Sequence, residues 1–344
     1  NPKLLVGDMT TVRPTFLVGV PRIFEKIFNA SQQKAHAASS TKGRIFERAA
    51  KVAIEYGRAT HDSGPSPWLK VQHALFDRLV YSKIRTAMGG NLRYAITGGA
   101  SLGERLGFFF AGMGLTVMEG YGLTETTASG TFNRAENPRI GSVGQPMPGT
   151  AVRIADDGEI WLRGPHVMAG YHNNPTATDD AITADGWFQT GDLGDVDADG
   201  FLHITGRKKE IIVTAGGKNV APAVLEDRMQ AHNLIGPTMV VGDGQPFIAA
   251  IITLDPDALA AWATSHGKAS TSVTDLHDDP DLVAEIQAAV DDANAAVSRA
   301  ESIRTWRLLD AEFTEETGYL TPTQKLKRSV VAKDYREEIA GIYA

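Results

Sequence analysis

Cysteine is absent from this chain of 344 residues. Its absence excludes thiol catalysis, cysteine-based metal sites and disulfide bonds, and it suits a protein of the reducing cytoplasm. The sequence has no apolar run long enough to span a membrane and no secretory signal at its start. The first residue is Asn1 and not Met, so we expect a processed chain or a piece of a longer protein.

An excess of basic residues is also lacking. The formal net charge is −7, which argues against a nucleic-acid-binding protein. The nine histidines lack the spacing of metal ligands, so we interpret them as surface or core residues. The hydrophobic fraction of 42% is ordinary for a globular protein, and the length allows two or three domains.

Two common nucleotide fingerprints are missing. No Gly-x-Gly-x-x-Gly motif joins a strand to a helix, and GGKN at 216–219 fails as a P-loop because Asn219 stands where Ser or Thr must hold magnesium. GASLG at 99–103 does match the Gly-x-Ser-x-Gly turn of serine hydrolases, with Ser101 as the nucleophile. That pattern is short and no later histidine is marked as its partner. We therefore favour a tight strand-to-helix turn and keep a hydrolase as a minor alternative.

Hydrophobic periodicity predicts an α/β fold in the first part of the chain. Residues 14–60 are helix-rich, beginning with PRIFEKIF, and 70–89 form an amphipathic helix. LRYAIT, SLGERLGFFFAG and LTVME then predict strand, helix and strand, which favours a mostly parallel sheet within residues 1–137. From 138 to 208, short segments cut by Gly and Asp turns predict a small β-rich subdomain.

A second domain is predicted after the basic segment GRKKE. EIIVTA, TMVVGD and FIAAIITL are predicted strands, and a helix is centred on AVLEDRMQ. We expect loop and short helix at 255–281 and an amphipathic helix at 282–300. The boundary is placed so that residues 1–208 form one domain and 209–344 an α+β domain.

Four polar stretches combine residue types that suit nucleotide chemistry. In EGYGLTETTASGT, 119–131, the Thr124 hydroxyl suits a phosphoryl oxygen and Glu125 suits Mg²⁺, although a loop that caps its own turns is the favoured explanation when this stretch is taken alone. Asp192 in WFQTGD suits two ribose hydroxyls, against the alternative of an Asx turn. Arg207 suits phosphate, against a solvated charge. TAGGKNVAP suits a narrow channel and YLTPTQKLKR offers Lys325, with a plain turn and a surface lysine as their alternatives.

Together these stretches resemble the adenylate-forming superfamily, and within it the long-chain fatty acyl-CoA synthetases. YGLTE, GEIWLRGPHVMAGY, WFQTGD, GRKKEIIVTAGGKNVAP and LTPTQKLKR occur in the family's order, and VPRIFEKI is typical of the long-chain branch. The resemblance covers the whole chain. It implies the remainder of a large AMP-binding domain followed by a mobile C-terminal lid domain. It also implies a fatty acid and CoA as substrates, with ATP and Mg²⁺.

The resemblance implies a role for each matching residue. Thr124 contacts phosphate, Glu125 holds Mg²⁺, Asp192 binds the ribose and Arg207 binds ribose or phosphate. The nucleotide pocket is formed by Gly99, Ala100, Glu119, Gly120, Tyr121 and Gly122. In the lid, Lys325 is the adenylation lysine, Lys209 the hinge, and Gly216, Gly217 and Lys218 border the CoA tunnel.

One departure from the family pattern matters. A Ser-Gly-Thr-Thr-Gly-x-Pro-Lys phosphate loop is not found before residue 98. We therefore expect a C-terminal portion with little synthetase activity alone and with exposed sheet edges and apolar surface that favour self-association. A fatty acyl-AMP ligase that uses a carrier protein and a non-catalytic nucleotide-binding fragment are the alternatives. Peripheral membrane contact is left open.

Overall fold

The computed structural model describes residues 5–344, with side chains from residue 7 onward. The chain divides into two compact units between Ile204 and Thr205. The helices that precede this division are α1 (Leu5–Val12), α2 (Pro21–Ala38), α3 (Ser40–His61), α4 (Pro67–Phe76), α5 (Ser82–Ala87), α6 (Glu104–Gly112) and α7 (Pro175–Ala181). The strands are β1 (Phe16–Gly19), β2 (Tyr94–Gly98), β3 (Thr116–Tyr121), β4 (Thr131–Phe132), β5 (Gln145–Pro146), β6 (Ala151–Ile154), β7 (Glu159–Arg163), β8 (Phe188–Val196) and β9 (Leu202–Arg207).

The first unit has an α/β layer, as predicted. Its five-stranded sheet has the order β1-β2-β3-β4-β5, in which β1, β2 and β3 are parallel and the last two strands antiparallel. Helix α2 begins at Pro21, whose missing N–H costs nothing in a first turn. It buries Phe24 and Phe28, which meet Phe110 and Phe109 of α6 edge to face at 5.5 and 4.8 Å.

Two local features of this layer differ from the prediction. The expected helix at 70–89 begins at Pro67 and is interrupted by a π-helical turn at Asp77–Tyr81. Tyr81, the last residue of this turn, is buried and donates a hydrogen bond to the Ala49 carbonyl at 2.7 Å. Strand β1 was not predicted, since its four residues are too few to show a period and lie next to strong helical patterns.

Several large apolar side chains are exposed on the first unit. Trp68, Val71 and Leu75 are 69%, 60% and 56% exposed at helical spacing on α4, and Val18 is 66% exposed on β1. These are surfaces that self-association would cover, and self-association itself stays a prediction. None of the described helices is both long and apolar enough to cross a bilayer.

The β-rich part of the first unit is a four-stranded sheet with the order β6-β7-β8-β9. Strand β7 pairs antiparallel with both β6 and β8. Ile160, Leu162 and Leu202 from this sheet are buried against Tyr121 at the end of β3. The small sheet is therefore packed against the carboxyl end of a strand from the larger one.

The second unit contains six helices among its described residues. They are α8 (Pro222–Gln230), α9 (Pro256–Ser265), α10 (Val273–Leu276), α11 (Pro280–Asn294), α12 (Arg328–Asp334) and α13 (Arg336–Tyr343). Its strands are β10 (Ile212–Val213), β11 (Asn219–Val220), β12 (Ile235–Val241), β13 (Ile248–Leu254) and β14 (Ile303–Leu308). Helix α11 ends six residues earlier than predicted, and the stretch at 255–281, expected to hold loop and short helix, contains the ten-residue helix α9 and the four-residue helix α10.

A three-stranded sheet, β12-β13-β14, organises the second unit. All seven residues of the central strand β13 are buried, because apolar groups cover both faces of the sheet. One face packs with α8, α9 and α11, and the side chain of Asp279 caps the first turn of α11. The other face packs with the C-terminal segment through Leu320 and Val331. The segment that carries Lys325 is therefore attached to the sheet.

Candidate functional site

Two neighbouring strand ends form the base of the candidate site in the first unit. Strands β2 and β3 are parallel, and Gly98 lies opposite Gly120. Gly99 follows β2 with a φ of +85°, and a Cβ at this position would meet nothing within 4 Å. Since ligands of open α/β sheets bind outside the carboxyl ends of the strands, the backbone at Gly99 and Ala100 can accept a close ligand. A Cβ at Gly120 would instead lie 2.7 Å from the Phe132 ring.

Glu119 is a buried acid at this edge of the sheet and belongs to β3. Its side chain is 6% exposed, and Oε2 accepts a hydrogen bond from the Leu102 N–H at 3.1 Å. Burial raises the pKa of the Glu119 carboxyl from 4.5 to about 7, although the Leu102 N–H opposes this shift. Glu119 thus links the turn after β2 to strand β3. Because its pKa is about 7, the carboxyl changes between its neutral and charged forms near neutral pH.

Asp192 reaches the same strand end from a distant part of the sequence. The Tyr121 hydroxyl donates to Asp192 Oδ2 at 2.7 Å, and both side chains are buried. Asp192 lies within strand β8, next to Gly191 with a φ of +72°, and this part of the strand is held by two hydrogen bonds, in which the Gly191 N–H donates to Glu159 Oε1 at 2.8 Å and the Asp192 N–H donates to the Thr190 hydroxyl at 3.1 Å. Asp192 therefore does not lie in a turn, and its carboxylate is fixed beside the Tyr121 hydroxyl.

The loop after β3 carries Thr124 and Glu125 in a 3₁₀ turn. The Thr126 hydroxyl accepts a hydrogen bond from the Leu123 N–H at 2.9 Å, so one threonine does cap its own turn. The Thr124 side chain is exposed and Glu125 is half-buried. Thr126, and not Thr124, thus provides the local capping, which leaves the Thr124 hydroxyl on the surface.

Glu125 is held in place from a separate segment. Its Oε1 accepts a hydrogen bond from the Tyr171 hydroxyl at 3.0 Å, and its backbone carbonyl accepts the Met168 N–H at 2.7 Å. The described residues contain no cluster of three acids or histidines that would hold a metal by itself. One carboxylate nevertheless fits Mg²⁺, because this ion is commonly bound by one or two carboxylates together with phosphates and water.

The second unit carries the remaining expected site residues. Lys325 is exposed in a tight hairpin, where the Lys325 N–H donates to the Thr321 hydroxyl at 3.0 Å and its carbonyl accepts the Thr321 N–H at 2.8 Å. Gly217 has a φ of +76° in the turn between β10 and β11, which favours glycine. Lys218 follows Gly216 and Gly217 and forms an ion pair with Glu301 at 3.3 Å.

Arg207 and Lys209 lie at the start of this unit. Arg207 ends β9, and Lys209 lies in the 3₁₀ turn Lys208–Glu210. Both side chains are exposed. Their expected roles in nucleotide binding and as a hinge therefore stay predictions.

Ser101 lies between β2 and α6, as the hydrolase pattern requires. Its Oγ accepts a hydrogen bond from the Gly103 N–H at 3.1 Å, within its own turn. This contact is the one expected of a tight strand-to-helix turn. The structure therefore supports the structural interpretation of GASLG.

Comparison with known proteins decides the family. A model described as AMP-binding enzyme matches residues 1–172, which is half of the chain. The chain belongs to the AMP-binding enzyme family. A second model, the AMP-binding enzyme C-terminal domain, matches residues 209–344. The two matches follow one another in the chain and leave 173–208 between them.

The relatives of this AMP-binding enzyme include long-chain-fatty-acid–CoA ligases. FadD15 of Mycobacterium bovis is 56% identical over 342 residues, and FadD15 of Mycobacterium tuberculosis is 55% identical over 342 residues. Each alignment covers 99% of this chain and 56% of the relative. The chain therefore spans a little over half the length of these curated relatives.

Solved structures show the same fold. The A domain of a carboxylic acid reductase from Segniliparus rugosus, solved in complex with AMP and a co-purified carboxylic acid, matches with a TM-score of 0.69 at 20% identity. The match covers 99% of this chain and 48% of that one. The adenylate-forming fold predicted for this AMP-binding enzyme is thereby confirmed.

Sequence reasoning did not identify two residues of the AMP-binding enzyme that support the expected site. Tyr171 lies within the quoted signature GEIWLRGPHVMAGY, but nothing in that pattern shows that its hydroxyl reaches Glu125. Glu159 is the second residue of the same signature and is 5% exposed, and its Oε1 accepts a hydrogen bond from the Gly191 N–H, directly before Asp192. Both side chains are important to the expected site because of hydrogen bonds to residues far away in the sequence, and a sequence pattern does not show such contacts.

Proposed function

We propose that the protein carrying this chain is a long-chain fatty acid–CoA ligase that forms AMP. The observation that carries the proposal is the contact between Tyr121 and Asp192 at 2.7 Å. This contact joins Asp192, the residue expected to bind the ribose, to the end of strand β3, which leads into the loop of Thr124 and Glu125. The relatives named as long-chain-fatty-acid–CoA ligases, at 55% to 56% identity, support the substrate class.

The reaction has two displacement steps. In the first, a carboxylate oxygen of the fatty acid attacks the α-phosphorus of ATP, which forms acyl-AMP and releases pyrophosphate. In the second, the CoA thiol loses its proton and its sulfur attacks the acyl carbon. The bond to AMP then breaks, so that a thioester and AMP are the products.

The residues of the first unit bind and orient the nucleotide in this proposal. Asp192 accepts hydrogen bonds from the ribose hydroxyls, and the Tyr121 hydroxyl fixes the orientation of its carboxylate. The backbone around Gly99, Ala100 and Gly120 borders the adenine. The Thr124 hydroxyl contacts a phosphoryl oxygen and Glu125 holds Mg²⁺, which supplies charge neutralisation at the phosphates when bound.

The residues of the second unit serve the two steps separately. The Lys325 ammonium binds the carboxylate and the α-phosphate while negative charge shifts between them. The turn of Gly216, Gly217 and Lys218 borders the path of the CoA pantetheine group. Lys209 is the proposed hinge that lets one small domain contribute to both steps, and Arg207 binds ribose or phosphate.

A cytoplasmic location is proposed together with this function. ATP and CoA are substrates of the cytoplasm, and the chain has no cysteine that would form disulfides. The fatty acid is apolar, so peripheral membrane attachment and self-association belong to the proposal as further properties to be measured. Sedimentation of the purified chain with and without liposomes measures both.

Lys325→Ala tests the proposal through its two half-reactions. Adenylation is measured as ATP–pyrophosphate exchange with palmitate, and thioester formation is measured from supplied palmitoyl-AMP and CoA. We expect the variant to lose adenylation and to retain thioester formation, because the lysine binds the carboxylate and the α-phosphate in the adenylation step alone. Equal loss of both half-reactions would contradict the assignment.

The assays are run on this chain and on a chimera that joins it to the part of M. tuberculosis FadD15 outside the matched segment. We expect the chain alone to show little turnover and the chimera to be active. Replacing CoA by an acyl carrier protein distinguishes an acyl-AMP ligase. Failure of the chimera to exchange pyrophosphate with any long-chain fatty acid would remove the proposed function.

A further inference from the structure

A bidentate ion pair joins two distant parts of the second unit. Arg328 Nη1 donates to both carboxylate oxygens of Glu226, at 2.6 and 2.8 Å. The two side chains are only 21% and 12% exposed. Glu226 lies in α8, and Arg328 is the first residue of α12, so the pair connects elements 102 residues apart.

The same two side chains also bind the edge of the sheet. The Val240 N–H donates to Glu226 Oε1 at 2.6 Å, and Arg328 Nη2 donates to the Val240 carbonyl at 2.8 Å. Strand β12 is an edge strand, and Val240 lies opposite Ala250 of β13. The pair therefore satisfies a donor and an acceptor that face away from β13, as a neighbouring strand would.

Arg328 is close in sequence to the lysine expected to act in adenylation. Lys325 precedes it by three residues and occupies the exposed hairpin closed by the Leu320–Leu326 bridge. The Lys327 N–H donates to the Tyr319 carbonyl at 2.8 Å. Leu320 and Val331 are buried in the core on either side of this segment. Among these contacts of the segment, only those of Arg328 involve a charged side chain, and they attach the end of the hairpin to the edge of the sheet.

We propose that Glu226 and Arg328 are positioning residues for Lys325. They hold the hairpin against the edge of β12 so that the exposed amine is presented in one orientation. The role follows from geometry, because a guanidinium that binds a carboxylate and a carbonyl together has little freedom to rotate. The inference rests on the proposed function, since the adenylation role of Lys325 belongs to that proposal.

Hydrogen exchange of this chain tests the mechanical part of the inference independently of any activity. Arg328→Lys keeps the positive charge and loses the fork, and Glu226→Gln keeps an acceptor and loses the charge. We expect the amides of Thr321, Lys325 and Lys327 to exchange about tenfold faster in both variants, because hydrogen bonds to charged groups are worth about this factor or more. The amides of β13 report on unfolding of the whole unit and should keep their rates.

A matched control is available on the same helix. Arg228 of α8 pairs with Asp292 at 3.0 Å, and these side chains are 43% and 63% exposed. Arg228→Gln should leave the exchange of the Lys325 hairpin unchanged. If the single variants at 226 and 328 also accelerate exchange of β13, the double variant E226L/R328M replaces them, because it buries no lone charge. Unchanged exchange in the hairpin of all these variants would overturn the proposal.

Half-reactions test the functional part. In the chimera, Arg328→Lys should lower kcat for pyrophosphate exchange about tenfold with little change in the KM for ATP. This loss should match the factor by which hydrogen exchange of the hairpin is accelerated. Thioester formation from supplied palmitoyl-AMP should stay within about twofold, because Lys325 is not needed there. Faster hairpin exchange with normal adenylation, while Lys325→Ala abolishes it, would overturn the positioning role.

The failure of the proposed function gives a different result. If Lys325→Ala itself leaves adenylation intact, the lysine has no role in that step, and the inference falls together with the proposal. In that case the hydrogen-exchange difference between Arg328→Lys and Arg228→Gln still shows whether the ion pair holds the hairpin. The two failures are therefore distinguishable.

Discussion

We expect replacement of Glu119 by Gln to make the first unit more stable at neutral and alkaline pH. Burial raises the pKa of this carboxyl from 4.5 to about 7, so the folded protein holds the proton more tightly than the unfolded chain does. Each pH unit between these two values is worth about 1.4 kcal/mol, which gives a destabilisation of about 3 kcal/mol once the folded protein ionises Glu119.

The pH dependence follows from the direction of this shift. The favourable contribution of protonated Glu119 is complete below about pH 4.5, decreases as the pH rises toward 7, and is lost above that value. Glutamine has no proton to lose and keeps an acceptor for the Leu102 N–H. The stability difference between Glu119→Gln and the wild type should therefore be small at pH 4.5 and reach about 3 kcal/mol at pH 8.

Urea unfolding at pH 4.5, 6, 7 and 8 measures this difference. A change of about 3 kcal/mol corresponds to a rise in Tm on the order of 10 °C for a unit of this size. Glu55→Gln is a suitable control because Glu55 is exposed on α3 and should show no comparable pH dependence. A difference that is constant across this pH range, or one that favours the wild type as the pH rises, would refute the reasoning about burial.

Three further substitutions have defined expectations. Tyr121→Phe removes one hydrogen-bond donor from the buried Asp192 carboxylate and should lower the free energy of unfolding by about 1–3 kcal/mol. If AMP binds at Asp192, it should restore part of this stability, so unfolding is measured with and without AMP. Ile251→Ala removes a fully buried side chain from β13 and should destabilise the second unit by about 2–5 kcal/mol while hydrogen exchange in β2 and β3 stays unchanged. Tyr171→Phe removes the donor to Glu125 Oε1 and should raise the Mg²⁺ concentration needed for half-maximal adenylation by less than about tenfold, and unchanged Mg²⁺ dependence would argue against the assignment of Glu125.

The long helices were largely predictable because their apolar residues recur at helical spacing over many residues. Helix α2 shows Phe24, Ile27 and Phe28 at helical spacing after Pro21, and α11 begins at an Asp cap followed by apolar residues on one face. The errors fall where a few residues carry the signal. Strand β1 is four residues long, and the π-helical turn at Asp77–Tyr81 spans five residues within a longer helical pattern.

The candidate site was only partly predictable from sequence. The order of motifs indicated Thr124, Glu125, Asp192 and Lys325 as candidates, whose roles stay predictions, and the comparisons confirm the family that this order resembles. The partners of these residues were not predictable. Tyr171 on Glu125 and Glu226 on Arg328 are pairings between segments that share no local pattern.

Sequence alone determined the family, the α/β character and the positions of the polar loops, because these depend on residue types at short spacings. Tertiary structure decided what each polar group touches. It placed Asp192 on Tyr121 across 71 residues of chain, and it buried Glu119 enough to raise the pKa of its carboxyl. Burial and contact arise from the packing of segments far apart in sequence, so electrostatic properties that depend on them emerge only when the chain is folded.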